Sequence, residues 1–170
     1  AFGESRVLGG LCHISATSTP DGAVLHLSNG QGAAVHSITF GERTPHAPRE
    51  RTEAIRNVFA TASFETVLAD NVMQDMWEKF AFLTSLASMT CLMRANVGEI
   101  VATDEGRALN EEMFAACQSV SAASGYPIRT QARERGQLVL TQVGSPLTAS
   151  MLRDLENGGR VEAAHIVGDM

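Results

Sequence analysis

The stretch from Val72 to Met93 constrains the fold more than any other part of these 170 residues. Its charged and amide side chains (Gln74, Asp75, Glu78, Lys79) end at Lys79, and F-A-F-L-T-S-L-A-S-M-T-C-L-M (Phe80–Met93) is predominantly apolar on every side. A helix apolar all round is stable only when other elements surround it. The spacing therefore predicts a buried helix over 72–93, capped at its start by Asp70 or Asn71, at the heart of a helical domain. The apolar part makes about four turns. A bilayer needs about 20 residues, and Ser and Thr interrupt this run, so no membrane span is expected.

The residues after it continue in the same manner. Asp104–Ser124 reads as a second helix ending at Gly125, a left-handed stop ahead of Pro127. Thr130–Thr141 reads as a third, and S-M-L-R-D-L-E-N after Pro146 as a fourth, stopped by Gly158-Gly159. A fifth begins in V-E-A-A-H-I-V-G-D-M, where the chain ends. Both ends look cut, as in a domain excised from a longer polypeptide.

The first 70 residues follow a different pattern. Val7–Ala16 is strand-like and stops at the turn residues Thr19-Pro20-Asp21-Gly22. Ala23–Ser28 resumes as a strand, turned again at Asn29-Gly30, and His36–Gly41 is rich in β-branched and aromatic residues. Pro48 opens a helix with Ile55, Val58 and Phe59 on one face, and Phe64–Ala69 is another strand. The expected organisation is an α/β portion over 1–70 and an all-helical domain over 71–170.

Composition narrows the function. The net charge is −6 with no basic cluster, which argues against nucleic acid as a partner. Cys12, Cys91 and Cys117 are widely spaced, so neither a zinc site nor a disulfide framework is suggested; a reducing cytoplasm fits this best. The five histidines lack ligand spacing, and no metal is expected. N-G-Q-G-A-A (Asn29–Ala34) has two glycines of a dinucleotide loop, but a strand follows where a helix should, so it reads as a hairpin turn. No serine sits in a G-x-S-x-G elbow.

Three residues remain as candidates for chemistry. Lys79 is the only lysine; the other 12 cationic side chains are arginines. An ammonium is a compact, titratable charge where a guanidinium is not, so a lone lysine entering a buried helix suits a proton donor. It also suits a snorkelling side chain paired with Glu78 or Asp75. Ser150 opens a helix, where a serine ordinarily caps, and Glu162 follows a double glycine in a nearly uncharged stretch, as a first-turn carboxylate.

M-W-E-K-F (Met76–Phe80), G-E-I (Gly98–Ile100), and S-M-L-R-D with a glutamate twelve residues after the serine together resemble the ketopantoate reductase family. Gly9–Ala16, D-G-A-V (Asp21–Val24) and F-G-E (Phe40–Glu42) are similar to the closing strands of that family's nucleotide domain, and the resemblance covers essentially the whole chain. It implies the end of a Rossmann-type domain followed by an all-α substrate and oligomerisation domain. The activity implied is NADPH-dependent reduction of a 2-oxo acid, ketopantoate in the type case, in a soluble homo-oligomer. Lys79 matches the catalytic lysine, the general acid that protonates the nascent alkoxide. Ser150 matches a serine that holds substrate, Glu162 an acidic residue that reaches the cofactor, and Ser15 borders the nicotinamide side.

Two departures temper the substrate. Leu83 and Ala87 stand where enzymes of the family acting on ketopantoate carry asparagines, and no G-x-G-x-x-G loop occurs in the 170 residues. A fragment without that loop is expected to be inactive alone. Two rival readings follow: a reductase acting on another 2-oxo acid, and a non-catalytic helical dimerisation module. If the resemblance is sound, Lys79, Ser150 and Glu162 converge on one groove; if it is not, they scatter.

Overall fold

The computed structural model describes residues 3–14, 16–19, 21–26, 36–44 and 47–170. These form two compact units, Ala1–Met76 and Trp77–Met170. Ser15 and the Asn29–Ala34 turn lie outside the described residues.

The first unit holds β1 (Gly9–His13), β2 (Ala16–Ser18), β3 (Val24–His26), β4 (Ser37–Gly41), α1 (Glu50–Phe59) and β5 (Glu65–Leu68). β1 runs antiparallel to β4, with Gly9 opposite Gly41, and β4 runs parallel to β5, with Ser37 opposite Glu65. β2 and β3 pair as a separate antiparallel ribbon around the predicted turn, which Gly22 closes by donating its N–H to the Thr19 carbonyl at 2.9 Å. A parallel pair needs a crossover, and α1 supplies it. The inner face of α1 corrects the sequence expectation. Thr52 is buried and Ile55 and Phe59 are half-buried, but Val58 is 73% exposed. Thr52 takes the inner position because its hydroxyl donates to the Arg49 carbonyl at 2.8 Å, so its polar atom enters the interior already satisfied. Phe59 meets Phe40 and Phe64 edge-on, at 6.0 and 5.5 Å between ring centroids.

Arg51 ties this unit together. Its guanidinium forks onto both carboxylate oxygens of Glu42, and its Nη1 donates to the Ser5 carbonyl at 2.6 Å. That pairing holds the Glu42 carboxyl below its ordinary range.

α2 (Val72–Met93) starts where predicted. Asn71 is the residue that caps it, its side-chain oxygen accepting the Gln74 N–H at 3.2 Å, while Asp70 pairs with Arg49 at 2.7 Å. The helix is not buried throughout: Leu83, Leu92 and Met93 are exposed. The second unit continues with α3 (Val97–Val101), α4 (Gly106–Ala123), α5 (Thr130–Leu140), α6 (Ser150–Glu156) and α7 (Ala163–Ile166). Its core gathers Ala81 and Leu86 of α2 with Val97, Phe114, Cys117 and Leu140. Burial pushes the Cys117 thiol up, as it does the half-buried Cys91, so both behave as small apolar side chains.

Two helices depart from the sequence reading. α3 was not expected, although Asn96 and Glu99 form a reciprocal capping box with both bonds at 2.9 Å. The expected fifth helix is a single turn, α7. Gly125 does end the helix before it, with φ +90, a left-handed geometry that suits a residue without Cβ.

Candidate functional site

The candidate site is built on α2, and the residues around Lys79 explain how that stretch is held. Trp77 stacks on Tyr126 with ring centroids 5.8 Å apart and planes 16° from parallel. Glu78, with its side chain only 11% exposed, accepts three hydrogen bonds from Arg129. These come from the Arg129 backbone N–H at 3.0 Å, Nε at 2.7 Å and Nη2 at 2.7 Å. Arg129 is the N-cap residue of α5, so the Glu78 carboxylate also faces the positive end of that helix. Trp77 and Glu78 thus grip the Tyr126–Arg129 segment from one turn of α2. Lys79, half-buried, sits in the turn that they immobilise. Nothing in the sequence signals this clamp, because its halves lie 51 residues apart.

Ser150 is the first residue of α6, and it corrects the expectation of a capping role. The N-cap is Ala149, and the start of the helix has no side-chain cap. Ala149 is held from α2: its N–H donates to the Thr90 hydroxyl at 3.4 Å, while that hydroxyl donates to the Leu86 carbonyl at 2.7 Å. The loop leading there is pinned as well. Val97 donates to the Leu147 carbonyl at 3.0 Å and Gly98 to the Ser145 carbonyl at 2.9 Å. A Cβ on Gly98 would stand 2.5 Å from the Ser145 nitrogen, so the glycine of G-E-I is there to let this loop approach.

Glu162 is the N-cap residue of α7 rather than a first-turn residue, and its exposed side chain makes no capping bond. α7 is fastened to α2 as well, through Thr84, whose hydroxyl donates to the Ile166 carbonyl at 2.9 Å. All three candidates therefore stand on α2 or on short helices hydrogen-bonded to it. Thr90 lies eleven residues beyond Lys79, within about 20° of it around the helix and about 16 Å along it. Leu83 and Ala87 fall between them on the same side of the helix. The cavity of about 280 Å³ between α4 and α5, which includes Asn110, Phe114 and Arg133, is lined by none of the three.

Comparison with known proteins bears on the family and the fold. Residues 71–170 match the family model described as "Ketopantoate reductase PanE/ApbA C terminal". The chain belongs to the ketopantoate reductase family. It is 30% identical over 168 residues to an uncharacterized oxidoreductase of Bacillus subtilis, YkpB, covering 99% of this chain and 54% of that protein. It is 26% identical over 169 residues to a 2-dehydropantoate 2-reductase of Mesorhizobium japonicum, covering 98% and 48%. Among solved structures, a 2-dehydropantoate 2-reductase from Geobacter metallireducens superposes with a TM-score of 0.78 at 24% identity, over 96% of this chain and 52% of that one. The chain thus spans about half the length of the curated relatives it matches. Family membership accounts for the fold of the helical unit. Among the described residues no group of His, Cys, Asp or Glu is placed to hold a metal, and no described helix is long and apolar enough to cross a membrane.

Proposed function

We propose that this chain is the carboxy-terminal part of an NADPH-dependent 2-oxoacid reductase, with Lys79 as its general acid. The observation that carries the reading is the clamp around Lys79. A half-buried ammonium in a turn fixed by the Trp77–Tyr126 stack and the Glu78–Arg129 fork is a proton donor with little freedom to misplace its proton.

The cofactor's contribution is a hydride delivered to the carbonyl carbon of the 2-oxo acid. The residues described fit only part of such a cofactor: Glu162 offers an acceptor that its own helix cap does not use, but the 170 residues contain no G-x-G-x-x-G turn for the phosphates. Ser15 belongs to the same proposal by resemblance. As the carbonyl becomes an alkoxide, Lys79 Nζ transfers a proton to that oxygen and ends neutral. Ser150, at the exposed start of α6, donates a hydroxyl hydrogen to the substrate's polar end. In this reading the first unit is the end of a Rossmann-type domain, and the exposed Leu92, Leu138 and Val143 favour self-association.

The test uses the full-length protein that contains this chain, NADPH and a panel of 2-oxo acids. NADPH oxidation is expected with at least one of them, and Lys79→Ala should lower kcat by about 10²–10⁴. Turnover that survives Lys79→Ala unchanged would remove Lys79 from the mechanism.

A further inference from the structure

The side of α2 that carries Lys79 has a character that the reduction itself does not require. At about 100° per residue, Leu83, Leu86, Ala87 and Thr90 all lie within about 80° of Lys79 around the helix. Three of them are sealed, Leu86 at 4% exposure, Ala87 at 2% and Thr90 at 0%, and the Thr90 hydroxyl is occupied by the Leu86 carbonyl and the Ala149 N–H. Leu83 alone is open, at 38%. It stands one turn from Lys79, where side chains of a helix are neighbours, about 5–6 Å apart at Cβ.

A small molecule whose carbonyl oxygen is at the Lys79 ammonium therefore meets an isobutyl group next along α2. From Lys79 to the end of the helix, no exposed amide, carboxylate or hydroxyl on this side competes for that contact. A substrate hydroxyl pressed against Leu83 would surrender its bonds to water and gain none, whereas an alkyl or aryl group would bury apolar surface.

We infer that the substrate is a 2-oxo acid with an apolar side chain, branched aliphatic or aryl, seated against Leu83, which makes Leu83 a specificity-determining residue. The inference rests on the reductase reading above, and the experiment separates the two. In the full-length protein, kcat/KM with NADPH is compared for 3,3-dimethyl-2-oxobutanoate and 2-dehydropantoate, which differ by one hydroxyl, with pyruvate as the minimal 2-oxo acid. The compound without the hydroxyl is expected to be preferred by about 10-fold or more, the scale at which an apolar pocket discriminates one group. Leu83→Asn should move that ratio about 10-fold toward 2-dehydropantoate. Leu83→Ala, which removes the isobutyl group without adding an amide, should lower the preference by costing the apolar substrate its contact.

Preference for 2-dehydropantoate overturns the inference and leaves the reductase reading standing, as does a ratio unmoved by both variants. A change in sedimentation mass with an unmoved ratio assigns Leu83 to a subunit contact and overturns it too. Failure of every 2-oxo acid in the panel, these three and an aryl member included, to give Lys79-dependent turnover sinks the reductase reading, and the inference with it.

Discussion

Glu78 and Arg129 show how much a single pair contributes when both of its partners are planar. The guanidinium fork and the Arg129 backbone N–H fill the Glu78 carboxylate, which is 11% exposed, so removing the fork strands a largely desolvated charge. Arg129→Lys keeps the charge but cannot reproduce the two parallel bonds. It is expected to lower unfolding stability by about 1–2 kcal/mol in denaturant titration of this chain. A loss below about 0.3 kcal/mol would mean that the pair is no more than a surface contact. The lone lysine and the tryptophan beside it were legible in the sequence because each is the only residue of its kind. Their partners were not, since no local pattern joins Trp77 to Tyr126 or Glu78 to Arg129. Ser150 shows the opposite limit: its place before a helix pattern suggested a cap, and a one-residue shift of the helix start made it the first helical residue instead.

Elements with a strong local signal were legible; those fixed by distant contacts were not. α2 follows from its run of apolar residues, and α5 and α6 from Pro and Gly punctuation. α3 escaped because its five residues carry almost no periodicity, although its capping box was present in Asn96 and Glu99. The inner face of α1 was misjudged because Thr52 satisfies its own hydroxyl and so outcompetes Val58 for the interior. At α3 the backbone bonds from Val97 and Gly98 to the 145–147 loop set where α6 begins. Gly98→Ala would force that loop outward and is expected to cost about 1–3 kcal/mol, measured by thermal or denaturant unfolding. Full stability in that variant would show that the loop yields freely. The Arg51–Glu42 fork makes a pH prediction for the first unit. Because Glu42 is held below its ordinary value of 4.5, its stabilisation is complete above that pH and is lost as pH falls through the lower folded value. Circular dichroism melts between pH 6 and about pH 3 should show the first unit weakening over that interval, less so in Glu42→Gln. Identical pH profiles for the two proteins would remove the fork from the balance.

For the whole molecule, the 170 residues correspond to about half of each curated relative, and none of them forms a G-x-G-x-x-G turn. The isolated chain is therefore expected not to oxidise NADPH with 2-dehydropantoate. Protein-dependent turnover by this chain, abolished by Lys79→Ala, would overturn that expectation. The hydrogen bond from Thr84 to Ile166 has a further consequence, one of timing. Its partners are 82 residues apart, so α2 is made long before the segment that fastens to it. At about 5–20 residues per second the ribosome needs roughly 4–16 s to deliver Ile166 after Thr84. During that interval α2, the most apolar of the described helices, lacks the contact that α7 makes with it, which makes it a natural target for a chaperone acting during synthesis.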